Sequence, residues 1–216
     1  MRSFTFSDFL FLLTALEWTF LMAAMALAFG APLAVLLAIA RSGKAILPRF
    51  TASAFIDLVQ GIPLLGLLMF FYFGVPVLLG TDVPALVAVG AAYTIYTAAF
   101  LGDVWRGGIQ AVKQAQWEAG ACLGLSWRQQ FLHIIGPQAF RVALPATVGF
   151  LVQLVKNTSL ASVVGIVELA RAGQVVSAGT FQPLFVYLLI AGIYFAICFP
   201  LTTWSRKLEA RLNGAR

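Results

Sequence analysis

Long apolar runs at 9–40, 51–79, 84–104, 138–170 and 183–205 alternate with short segments in which charged residues collect. Each run reaches the roughly 20 residues that carry an α-helix across a hydrocarbon core. The runs are continuous and lack the ten-residue alternation of a transmembrane β-barrel. The pattern predicts an all-α membrane protein with about five transmembrane helices in a single domain over 1–216. The fourth run is interrupted near its end, where Lys156, Asn157, Thr158 and Ser159 follow the stretch Val148 to Val155.

Breakers punctuate several runs: Pro32 in the first, Gly61-Ile62-Pro63 in the second, Pro145 in the fourth. Such kinks are tolerated in membrane helices because neighbouring groups re-satisfy the freed backbone. At the N-terminus, Ala26-Leu27-Ala28 resembles a signal-peptidase site. Asp8 and Glu17 interrupt the stretch before it, and the apolar run continues to Ala40, so a retained span is expected.

Lys and Arg positions give an orientation. Arg41, Lys44 and Arg49 lie between the first two runs, and Arg106, Lys113, Arg128 and Arg141 between the third and fourth. Arg206, Lys207, Arg211 and Arg216 crowd the C-terminus, whereas 74–84 has no basic residue. The positive-inside rule then places the N-terminus outside and the C-terminus in the cytoplasm, which an odd number of spans allows.

Composition agrees with this. Of 216 residues, 61% are hydrophobic and 10% charged, against about 25% charged in soluble domains. The bilayer is therefore the solvent, and membrane lipid is a partner by default. The net charge of +6 would suggest nucleic acid in a soluble protein. Here the basic residues flank apolar runs and need no such partner. Cys122 and Cys198 stand in different contexts and support neither a disulfide framework nor a metal site.

Between the third and fourth runs, over about 112–137, lies the polar stretch EAGACLGLSWRQQFLHIIGP (118–137). Glu118 to Leu123 is helix-compatible with little side-chain bulk, and Gly124 suits a left-handed cap. Ser126-Trp127-Arg128-Gln129 matches a capping box, and Pro137 is expected to stop the helix it opens. Two short helices at a sharp angle are predicted, facing the cytoplasm.

This stretch resembles the EAA signature of ABC importer permeases, E-A-A-x3-G-x9-I-x-L-P, with Glu118, Ala119, Gly120, Gly124, Ile134 and Pro137 in place. Gly120 stands where Ala is usual and Gly136 where Leu is usual. Further segments resemble polar amino-acid permeases: Gln60-Gly61-Ile62-Pro63-Leu64-Leu65, then Ala99 to Ile109, then Ile134 to Arg141, then Lys156-Asn157-Thr158-Ser159-Leu160. Asp103 replaces a usual Glu, and Asn157 a usual Asp. The resemblance implies a type I ABC importer permease in the bacterial inner membrane, with the loop as a coupling helix. It implies two ABC ATPase subunits that bind ATP and Mg, a second permease of the same or a paralogous kind, a periplasmic substrate-binding protein and a polar amino-acid substrate.

Lys156 is the sharpest single feature. A Lys near the centre of a membrane helix costs roughly 2.5–3.5 kcal/mol, so it normally faces a polar cavity or snorkels to the interface. With Asn157, Thr158 and Ser159 it forms a candidate substrate path able to attract a carboxylate. Gln60 and Asp103 are further candidates. Asp103 and Arg106 are three apart and can pair on one helical face.

Catalytic chemistry is not signalled. The nearest approach to a nucleotide-binding loop, Gly43-Lys44, has Ala38 and Ala45 where Gly and Ser or Thr are required. His133 is the sole histidine, so no His-rich metal set is expected from this chain. A non-catalytic transport subunit is expected. The alternative is an ion-coupled transporter or channel without ATPases, which predicts inverted repeats that the sequence does not display.

Overall fold

The computed structural model describes residues 2–43 and 45–214. Lys44 and Arg216, two of the orienting charges, lie outside the described residues. Helix α1 (Phe6–Ser42) runs unbroken for 37 residues, about 55 Å at 1.5 Å per residue. Its start is fixed where the Thr5 backbone N–H and hydroxyl donate to Asp8 Oδ2 at 2.9 and 2.8 Å. The helix passes through Ala26–Ala28 and Pro32 without ending. Asp8 and Glu17 occupy its beginning, so it carries no charge from Trp18 to Ala40.

Helix α2 (Ile46–Gly61) meets the segment Leu64–Leu79 at a 100° bend. Pro63 cannot continue the hydrogen-bond ladder and drives the residue before it out of helical conformation. Ile62 accordingly has φ −103° and ψ 128°. The second arm is α3 (Leu64–Met69), a π turn (Phe70–Gly74) and α4 (Val75–Leu79). That π turn lies just before Pro76, and its wider ladder makes room for a ring that would otherwise meet the carbonyl four residues back.

Helix α5 (Ala85–Gln110) runs parallel to α1. Met25 meets Gly90, Gly30 meets Thr97, and Leu37 meets Gly102. The approach is close because glycine carries no side chain. A Cβ at Gly30 would lie 2.7 Å from Thr97 Cβ and 2.9 Å from the Thr94 carbonyl. Since α1 ends and the parallel α5 begins at opposite ends of the bundle, the bent pair must carry the chain back across. It makes a fifth, broken span beside four long apolar helices, as the hydrophobic pattern predicts.

After α5 come α6 (Gln114–Cys122) and α7 (Trp127–Gln130). A second π turn (Phe131–Ile135) leads into α8 (Gly136–Asn157) and a tight 3-10 segment (Thr158–Val164). The expectation that Pro137 stops the second loop helix is corrected here. The helix runs through it, because the π turn absorbs the missing donor in the same way as at Pro76. Gly136 permits this: a Cβ there would meet the Phe131 carbonyl oxygen at 2.7 Å. The second loop helix is therefore the start of a membrane helix, and the expected interruption falls after Asn157.

α8 is antiparallel to α5, with Trp105 Nε1 donating to Thr147 Oγ1 at 3.0 Å and the Tyr93 hydroxyl to the Asn157 carbonyl at 2.8 Å. Helices α9 (Leu169–Thr180) and α10 (Pro183–Gly214) complete the chain. α10 is antiparallel to α8, tied by the Ser205 hydroxyl donating to the Pro145 carbonyl at 2.8 Å. The main core joins α1, α3, α5 and α8 around the fully buried Met22, Leu68, Tyr93 and Leu154. A smaller cluster of Ala38, Ile109, Val112, Ile135 and Ala139 closes the end that carries the polar loop.

Candidate coupling loop and translocation pocket

The polar loop is built by local hydrogen bonds. At the end of α6 the Leu125 N–H donates to the Gly120 carbonyl at 3.1 Å and the Gly124 N–H to Ala121 at 3.0 Å. With Gly124 at φ +71°, this is a Schellman cap, in which a left-handed residue satisfies the last carbonyls. Two residues later Ser126 opens α7, accepting from the Gln129 N–H while its own N–H donates to Gln129 Oε1 at 2.8 Å. The two helices are held at their elbow by Gln130. It is buried against Gly120 and donates to the Leu125 carbonyl at 2.7 Å. A Cβ on Gly120 would lie 2.9 Å from Gln130 Cγ.

Of the expected coupling positions, Glu118, Ala119, Gly124 and Pro137 are exposed, Ile134 is half-buried and Gly120 is buried in the elbow. Leu123 projects with 76% of its surface open. His133 is exposed, its Nδ1 3.0 Å from the Gln129 carbonyl. Behind α6 a groove of about 650 Å3 separates Glu118 and Trp117 from Arg41 and Arg49.

Arg41 organises the same end of the bundle. Its guanidinium lies 2.8 Å from Asp103 on α5 and 3.5 Å from Asp57 on α2. Arg106 holds the same Asp103 oxygen at 3.0 Å, the pairing anticipated from spacing. Asp103 is thus engaged at the loop end, apart from the 156–159 group. Gln60 stands exposed on the last turn of α2, ahead of the bend.

The group at 156–159 divides between two sides of α8. Asn157 turns to α5, donating from Nδ2 to the Tyr96 hydroxyl at 3.1 Å and accepting from Gln153 Nε2 at 3.0 Å. Thr158 is fully buried and donates to the Val155 carbonyl at 2.7 Å. Lys156 and Ser159 instead turn to α10. There they line a pocket of about 510 Å3 with Tyr194, Phe195, Cys198 and Thr202. Lys156, Gln153 and Gly149 lie on one exposed stripe of α8.

Three participants, a tyrosine pair and a glutamate, escaped sequence reasoning. Tyr93 and Tyr96, three apart in an apolar helix, are the partners of Asn157, and their spacing on one helical face was the available signal. Glu168 is the third. Wholly buried, it caps α9 by accepting from the Ala170 and Arg171 N–H groups, each at 2.9 Å. It also accepts from the Tyr194 hydroxyl at 3.1 Å. A carboxylate at the edge of an apolar run marked it, but only the fold brings Tyr194 to it.

Residues 30–214 match the family model described as the binding-protein-dependent transport system inner membrane component. The chain belongs to that family. This permease is 36% identical over 218 residues to the octopine transport system permease protein of Rhizobium meliloti, covering 95% of this chain and 92% of that one. It is 33% identical over 215 residues to the arginine ABC transporter permease protein of Haemophilus influenzae, covering 96% of each. Its fold matches the crystal structure of an amino acid ABC transporter with histidines at TM-score 0.86, with 26% identity over 97% of this chain and all of that one. It is a multi-pass membrane protein with the type I importer permease fold.

Proposed function

We propose that this permease forms the membrane path of an ATP-driven importer for polar amino acids or related compounds. In this reading the N-terminus faces the periplasm and the C-terminus the cytoplasm of a bacterial inner membrane. The positive loop ends, gathered on one side of the bundle, support that orientation. ABC ATPase subunits, which bind ATP and Mg, dock on α6. A substrate-binding protein delivers its cargo at the opposite end, and a second permease completes the path. Glu118, Ala119, Gly120, Gly124, Ile134 and Pro137 serve the ATPase contact. Lys156, Asn157, Thr158 and Ser159, with Gln60 and Asp103 nearer the span ends, serve the path.

The observation that carries this reading is the rigid join between loop and membrane helix. α6 is capped by Gly124 and clamped through Gln130 to α7, and α7 runs without a break through Pro137 into α8, which bears Lys156 and Asn157. A push on the exposed face of α6 therefore reaches the pocket through one continuous rod. A flexible loop would dissipate it. Two states of the ATPase that hold α6 differently would bias two states of the bundle, which is what coupling requires.

The test is uptake of radiolabelled amino acids into proteoliposomes holding the permease with and without its ATPase. ATP-dependent uptake that disappears without the ATPase, and falls sharply in Glu118→Ala, is the expected result. Uptake driven by an ion gradient alone would replace this reading with a secondary transporter.

A further inference from the structure

The pocket between α8 and α10 carries one kind of charge. Lys156 supplies an ammonium, and among the described residues no carboxylate lies within ion-pairing distance of it. Glu168, the acid bonded to the lining residue Tyr194, is sealed. Both its oxygens are taken by the α9 N–H groups and by Tyr194, and none of its surface is open. Glu209 lies on the same seam but seven residues beyond Thr202, about 10 Å along the helix, where it lines a different pocket.

The neutral groups reinforce the asymmetry. The Ser159 hydroxyl donates to the Lys156 carbonyl at 2.7 Å, and Thr202 to the Cys198 carbonyl at 2.8 Å. Tyr194 donates to Glu168. Each hydroxyl has one proton to give, and all three are given to the protein. What they turn to the pocket is lone pairs. A zwitterion fits this layout, its carboxylate on Lys156 and its ammonium among the hydroxyl oxygens. Among the described residues a second positive charge finds no partner there.

We infer that this pocket binds amino acids whose side chain is uncharged or acidic and discriminates against those with a cationic side chain. The inference rests on the proposed import function and goes further by fixing the charge class of the cargo. Family membership leaves that class open, since relatives named for arginine and for glutamine are each 33% identical to this chain.

The test is equilibrium binding of radiolabelled glutamine, glutamate and arginine to the assembled permease–ATPase complex in nanodiscs, with no substrate-binding protein present. Arginine is expected to bind roughly tenfold or more weakly than glutamine, the scale of one unpaired charge in a partly desolvated site. Lys156→Gln should weaken glutamate about tenfold while moving arginine little, and Lys156→Glu should bring arginine above glutamate. Arginine binding as tightly as glutamine to the unaltered complex would overturn the inference without needing any variant. So would a Lys156→Gln complex that dissociates while its ligand order is unchanged, since Lys156 would then pair with the second permease. ATP-driven uptake of arginine alone would sink the charge class and leave import standing. Absence of ATP-driven uptake of any amino acid would sink import itself.

Discussion

Arg41 Nη1 on α1 stands 2.8 Å from Asp103 Oδ1 on α5, across 62 positions of sequence. Arg106 shares that oxygen, and Arg41 also reaches Asp57. The Arg41 guanidinium, through the carboxylates of Asp103 and Asp57, therefore ties three helices at the end from which α6 projects. With the Asp103 side chain 37% exposed, the Arg41–Asp103 coupling is set at about 1 kcal/mol, the upper part of the range for open ion pairs. A double-mutant cycle on Arg41→Met and Asp103→Asn, read by thermal unfolding in detergent, should return that coupling. Strictly additive losses would show that the pair holds nothing.

At the loop, Gly124→Ala places a side chain in a left-handed conformation and should destabilise the cap by about 1–2 kcal/mol. The loss falls on α6 and not on the core, so the membrane helices should stay folded by circular dichroism while less ATPase co-purifies. Equal recovery of ATPase would remove α6 from the contact.

Gly120→Ala pushes a methyl into Gln130 Cγ and should loosen the elbow. Because Gln130 is a flexible side chain, Gly120→Ala combined with Gln130→Ala should pack better than either change predicts alone. Coupled ATP hydrolysis in the double variant, compared with the singles, measures this. A double variant no better than additive would mean that Gly120 serves another purpose.

Gly30→Ala meets backbone as well as side chain, since the Thr94 carbonyl would be 2.9 Å from the new carbon. Overpacking of this kind costs about 1–3 kcal/mol, and α1 and α5 must part to relieve it. A clear drop in unfolding temperature is expected. An unchanged one would contradict the close parallel packing.

Glu168→Ala strips partners from two backbone N–H groups at the partly buried start of α9 and from the Tyr194 hydroxyl. Loss of a cap costs about 1 kcal/mol, and stranded buried donors add about 1–3 kcal/mol each at most. Glu168→Gln keeps one acceptor and should fall between the two. Unfolding temperature and uptake should both follow the order Glu, Gln, Ala; any other order would show that the cap is not what Glu168 provides.

The amino-acid sequence by itself determined what closes within a few residues or is set by the solvent. The spans follow from runs of apolar side chains that only a bilayer accommodates. The cap at Gly124, the capping box at Ser126 and the Asp103–Arg106 pair follow from hydrogen bonds and charges three to five positions apart. Even the π turn at Pro137 has a local cause, although a proline was expected to end the helix and instead was absorbed by it. Only the tertiary structure decided the rest. It chose Arg41 as the third member of the ion cluster, split Lys156 from Asn157 onto different sides of α8, and brought Tyr194 to Glu168. Those outcomes depend on which helix faces meet, and that is set by glycines such as Gly30 and Gly102 letting α1 and α5 approach. Such a contact has no signature in either helix alone, because its energy exists only once both surfaces are in place.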